Sequence, residues 1–171
     1  PWYFKGDVHT KTKNIPKWII DHNRDKFLPL MKKFNNNKKI FLDRSSSKYN
    51  HCQIKNNDEI IKLLLKKGFT SYKVEELSIE EQIYLFNEAS TIIGAHGAAF
   101  TNIIFCKPST KIIELIPKTH PSKKCERLSK ILNLNYFKIE TENNSGDENF
   151  PYRISLEERD LKKIVDAIDL Y

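Results

Sequence analysis

Three short stretches of the chain place residues suited to holding an anion. The first is Gly94-Ala95-His96-Gly97-Ala98-Ala99-Phe100-Thr101-Asn102, with two glycines, three alanines and a histidine. Small residues let a backbone approach a ligand closely, and a helix opening there offers unpaired N–H groups and a positive dipole end. His96, Thr101 and Asn102 add side-chain donors. The spacing is neither a GxGxxG fingerprint nor a Walker loop, so the same residues also fit tight strand–helix packing around a hydrogen-bonded core histidine. The second stretch is Arg44 with Ser45-Ser46-Ser47, directly after the expected strand Lys39-Ile40-Phe41-Leu42-Asp43. It reads either as a phosphate partner with supporting hydroxyls or as a solvated surface arginine. The third is Glu114, a carboxylate inside Ile112-Ile113-Glu114-Leu115-Ile116. Near a strand end it suits ribose hydroxyls, as acidic residues do in nucleotide-binding folds; the alternative is a structural ion pair.

Other chemistries lack their residues. There is no Gly-x-Ser-x-Gly elbow, no Cys/His pairing and no close carboxylate pair for hydrolysis. Cys52, Cys106 and Cys125 are an odd count at wide spacing, which supports neither a disulfide framework nor a CxxC zinc site. His9, His22, His51, His96 and His120 form no HxxxH pair. No structural metal is expected.

The elements that must position these residues follow from pattern. At 171 residues, with 39% hydrophobic and 30% charged residues, the chain has the make-up of one globular domain. No apolar run approaches the roughly 18 residues of a membrane span. The net charge of +7 is uneven: residues 1–73 hold 17 basic and 6 acidic side chains, and residues 74–171 hold 12 and 16. Lysines outnumber arginines 24 to 5, and no Arg-rich run or RNP-like motif is present. Phosphate and base readers favour the arginine fork, so nucleic acid is not the expected partner.

From residue 38 the chain alternates strands and helices. Strands are expected at 39–43, 70–74, 91–94, 111–116 and 135–140. The intervening helices are placed at 58–67, from 79 onward, in a short piece to Phe105, and at 122–133. Ser78 and Glu81 form a capping box, opening a helix that turns Ile79, Ile83, Leu85, Phe86 and Ala89 to the core. A second box, Ser155 with Glu158, is expected to start a last helix to Tyr171, with Leu161, Ile164, Val165 and Ile168 as its stripe. Residues 141–151 read as a polar surface loop. The alternation predicts an α/β, Rossmann-like three-layer sandwich with a mainly parallel sheet over residues 38–171. Residues 1–37 read as a leading helical or linker segment, with a helix near 16–34 interrupted at Pro29. Ligands of such sheets bind beyond the carboxyl ends of the strands.

Four stretches carry a resemblance: KIFLDR (39–44), LLLKKGF (63–69), VEELSIEEQIYLFNEASTIIGAHGAAFTNIIFCKPSTKIIELIP (74–117) and LNLNYFKI (132–139). Together they resemble the carboxyl-terminal half of glycosyltransferase family 61. The resemblance implies one half of a GT-B enzyme, the half that binds a nucleotide-sugar donor such as a UDP-sugar. It implies an inverting, metal-independent transfer of a hexose or pentose to a polysaccharide or glycan, as in polysaccharide or capsule biosynthesis. Arg44, Ser45, Gly94, Ala95, His96, Gly97, Ala98, Thr101, Asn102 and Glu114 are then the donor-site residues. His96 and Arg44 meet the charge of the leaving diphosphate. The general base would come from an amino-terminal half that this chain lacks. A cytoplasmic setting is expected, with or without membrane association. Two positions differ from the family pattern: HCQIKNN (51–57) replaces further arginines and an Asn-Glu pair, and Pro108-Ser109 stands where Pro-Gly is usual. A nucleotide-binding regulatory module and a polyanion-binding domain are the competing classes.

Overall fold

A computed structural model describes residues 15–46, 52–142 and 152–170. Five strands form one all-parallel sheet: β1 (Lys39–Leu42), β2 (Thr70–Tyr72), β3 (Thr91–Ala95), β4 (Lys111–Pro117) and β5 (Asn135–Thr141). Their spatial order is β2-β1-β3-β4-β5. The helices are α1 (Lys17–Phe27), α2 (Asn57–Lys66), α3 (Ile79–Glu88), a 3-10 helix (Ala98–Phe105), α4 (Lys124–Leu132) and α5 (Glu158–Asp169). This is the expected Rossmann-like sandwich.

Strand periodicity sorts the core into two layers. Ile40, Leu42, Ile92 and Ile112 face a cluster with Ile20 of α1, Ile83 and Phe86 of α3, Phe100 and Ile103 of the 3-10 helix, and Leu128 of α4. Phe41, Ile93, Ile113 and Leu115 face the other way, onto Ile60 and Leu64 of α2 and Ile164 and Ala167 of α5. Both faces are covered, which is why the strands read as nearly unbroken apolar runs. Arg24 of α1 donates to the carbonyls of Ile104 and Cys106, so the first helix is tied to the end of the 3-10 helix.

Several expectations need correction. Ile79 does not face the core: it is 65% exposed, because the first residue of α3 projects off the helix end. The piece after His96 is a 3-10 helix. The last helix is not opened by Ser155 and Glu158. Its box pairs Glu157 with Asp160, two residues later. The reason is tertiary: Asn56 accepts from the Leu156 N–H at 3.1 Å and donates to its carbonyl at 2.9 Å, holding Leu156 extended. Ile154 is likewise bridged to Ile54. Of the expected loop at 141–151, Thr141 ends β5, and 143–151 lie outside the described residues, as do Ser47 and the first fourteen positions.

Candidate functional site

The strand order reverses direction between β1 and β3, and the carboxyl ends at such a switch point part to leave a crevice. A cavity of about 560 Å³ lies there, walled by Leu42, Asp43, Arg44, Ser46, Val74, Glu75, Gln82, Ala98, Ala99 and Asn102. Arg44 leaves the end of β1, and the 94–102 loop leaves the end of β3. The two meet directly. Gly97 is extended, so its backbone needs no glycine. Its space does: a Cβ there would fall inside the Arg44 guanidinium. Burial pulls the Arg44 pKa down from the usual arginine value, against the opposing pull of Cys52 and of Glu75 across the cavity. An arginine remains charged regardless.

Asp43 sets the turn that presents Arg44. Its carboxylate accepts from the Ser45 N–H at 2.9 Å, the Ser45 hydroxyl at 3.2 Å and the Asn57 amide at 3.0 Å. Ser46 donates to Glu75 Oε1 at 2.6 Å. On the opposite wall, Asn102 donates to Gln82 Oε1 at 2.9 Å, joining the 3-10 helix to α3.

His96 belongs to a second cluster. Its N–H donates to the Leu115 carbonyl at 2.8 Å, and its ring turns to β4, with Nδ1 2.5 Å from Glu114 Oε1. Tyr136 of β5 donates to the other oxygen, Oε2, at 2.5 Å. Glu114 is 2% exposed and His96 6%. Burial, then the Glu114 charge, push the Tyr136 pKa up. The His96 ring also lies 4.3 Å, centroid to centroid, from His120, which lies 4.6 Å from Tyr152.

The sequence-predicted residues therefore divide. Arg44, Ala98 and Asn102 line the cavity, and Gly97 packs beneath Arg44. Ser45 is held by Asp43. His96 and Glu114 meet each other. Gly94 serves the sheet, since a Cβ on it would come within 2.8 Å of Leu42 Cβ, its register partner. Ala95 is buried as the last residue of β3. Thr101 accepts from Lys124 Nζ at 3.0 Å, outside the cavity wall. Ser46, expected as a supporting hydroxyl, lines the cavity, and Asp43, Glu75 and Gln82 line it without having been singled out as ligands. The strand-end rule was the signal for two of them, since Asp43 follows β1 and Glu75 follows β2, whereas Gln82 lies within α3.

A larger depression, about 820 Å³, lies away from the strand ends between α2 and α5, rimmed by Lys62, Lys66, Arg159 and Lys162. No helix among the described residues is long and apolar enough to cross a membrane.

Fold and cavity define a Rossmann-like α/β domain with a polar site at its switch point. The profile described as Glycosyltransferase 61 matches residues 7–113, from before β1 into the first three residues of β4. The chain belongs to the glycosyltransferase 61 family. It is 32% identical over 71 residues to a beta-1,2-xylosyltransferase of Arabidopsis thaliana, covering 42% of this chain and 13% of that protein. It is 42% identical over 40 residues to the beta-1,2-xylosyltransferase RCN11 of Oryza sativa subsp. japonica, covering 23% of this chain and 8% of that protein. The matched segments thus span a small part of either relative.

Proposed function

We propose that this chain is the donor-binding half of a GT-B glycosyltransferase, inverting and metal-independent, acting on a glycan or polysaccharide acceptor. The observation that carries the reading is the contact of the Arg44 guanidinium with Gly97 at the wall of the switch-point cavity. It puts a fixed cation beside the first residues of a 3-10 helix, whose opening N–H groups have no intrahelical acceptor. Together they suit a diphosphate.

In inverting transfer, an acceptor hydroxyl attacks the anomeric carbon in line. The new glycosidic C–O bond forms as the bond to the diphosphate breaks, and the acceptor proton passes to a base. Negative charge grows on the leaving oxygen. Arg44 and the helix-start N–H groups are preorganised to meet that charge. His96 is assigned a supporting role: held by Glu114, it keeps the loop that carries Gly97 and Ala98 in place. Glu114 is accordingly given to His96 and not to ribose. The base is assigned to a facing amino-terminal half. The names of both relatives make UDP-xylose the first donor to test, ahead of a hexose.

Titration calorimetry of the chain with UDP, GDP and CMP tests the reading. One diphosphate is expected to bind, and Arg44→Ala to weaken it roughly tenfold or more, the size of a lost charged hydrogen bond. Arg44→Lys keeps the charge without the fork and is expected to recover only part. Absence of binding, or binding indifferent to Arg44, contradicts it.

A further inference from the structure

A diphosphate at Arg44 leaves the rest of the nucleotide to be read, and the opposite end of the cavity carries a carboxylate. Besides Glu76, which pairs with Lys73 at 3.9 Å and is not part of the cavity wall, three carboxylates stand near the carboxyl edge of the sheet in its first four strands. Asp43 is buried, with both oxygens taken by Ser45 and one also by Asn57. Glu114 is buried, with its two oxygens taken by His96 and Tyr136. Glu75 alone of the three is exposed and lines the cavity. Its Oε1 accepts from the Ser46 hydroxyl, and its Oε2 takes no hydrogen bond among the described residues.

Resting on the donor-site reading above, we propose that Glu75 is the residue that reads the vicinal hydroxyls of the nucleotide's ribose. An ionised carboxylate is an acceptor only, so it pairs with hydroxyl donors and repels phosphate. The cavity thereby gains a direction. The diphosphate lies on the β3 side, against Arg44, Ala98 and Ala99, and the diol lies on the β2 side, against Glu75. Glu75 sits after the strand that neighbours β1 on the side away from β3. Carboxylates that hold ribose in doubly wound sheets occupy a comparable place, beyond the strand next to the phosphate-binding turn. The Ser46 hydroxyl orients the carboxylate, making Ser46 a positioning residue.

The test compares ribo- with 2′-deoxyribonucleoside diphosphates (UDP and dUDP, GDP and dGDP, CDP and dCDP) on the chain and on Glu75→Ala by calorimetry. The unaltered chain is expected to prefer the ribo form of its best diphosphate roughly tenfold, one hydrogen bond to a charged group. Glu75→Ala is expected to abolish that preference while binding the deoxy form as well as before. Glu75 is exposed, and circular dichroism of the variant checks that its fold is intact. If a diphosphate binds but both forms bind equally to the unaltered chain, or the preference survives in Glu75→Ala, Glu75 is not the ribose reader and the donor site stands. If no diphosphate binds at all, the donor-site reading fails and this inference with it.

Discussion

His96 Nδ1, just past the end of β3, and Glu114 Oε1, in the middle of the neighbouring strand β4, lie 2.5 Å apart, with both side chains buried. A carboxylate accepts only, and a contact with one is made by an Nδ1 that carries the proton. Tyr136 closes the arrangement from β5. Nitrogen-resolved NMR of the imidazole is expected to show Nδ1 protonated in the free chain. Glu114→Ala removes the acceptor of buried His96 and of half-buried Tyr136, on the order of 1–3 kcal/mol for the buried donor and less for the other in chemical denaturation. A loss below about 1 kcal/mol in total contradicts a load shared by three residues.

Gly97→Ala separates site geometry from folding. Its Cβ meets the far end of a flexible side chain, Arg44, which can swing aside. Stability is expected to fall by about 1 kcal/mol or less, below the usual overpacking range, while diphosphate affinity falls as far as in Arg44→Ala. The double variant is expected to bind no worse than either single one. Gly94→Ala is the contrast: its Cβ meets Leu42 Cβ inside the sheet, at a cost of about 1–3 kcal/mol in stability. Unchanged affinity in Gly97→Ala contradicts the placement of Arg44.

Ser109 occupies a left-handed backbone position, φ 66°, before β4. Pro108-Ser109 is where the family pattern expects Pro-Gly, and the angle explains why glycine suits the place. Ser109→Gly is expected to raise stability by about 1 kcal/mol, since L-residues are penalised in that region. The Asn133 carbonyl accepts the backbone N–H of Ser109 and would do so from glycine equally. A destabilised variant contradicts this.

What was legible in the sequence is what local chemistry decides. The Ser78–Glu81 box needs only four consecutive residues, and it is present, with both of its bonds made. Parallel strands buried on both faces announce themselves as apolar runs. The Ser155 box failed because Asn56, a hundred positions away, holds Leu156 extended, and no local pattern carries that information. In the candidate site, the strand-end rule reached the right edge of the sheet. It did not show that the ring of His96 turns to β4 while Ala98 and Asn102 face the cavity. Nor did it show that Glu114 would be consumed by His96 and Tyr136. Side-chain direction at a loop depends on neighbours from other strands.

Cys52, Cys106 and Cys125 are free and buried. Burial pushes their thiols up, that of Cys52 to about 12. The thiolate is the reactive form, so at pH 8 all three are held as unreactive thiols. A colorimetric thiol reagent is expected to react slowly with the native chain and to count three thiols in guanidinium. Rapid reaction of one thiol in the native chain contradicts its burial.

The most direct test of the donor site is a residue-resolved NMR titration with the tightest-binding nucleoside diphosphate. The account predicts that signals of Arg44, Ala98, Ala99 and Asn102 shift together and saturably, with those of Lys62, Lys66, Arg159 and Lys162 unmoved. Shifts confined to that lysine- and arginine-rimmed depression between α2 and α5, or no saturable shift at the ends of β1 and β3, would contradict it.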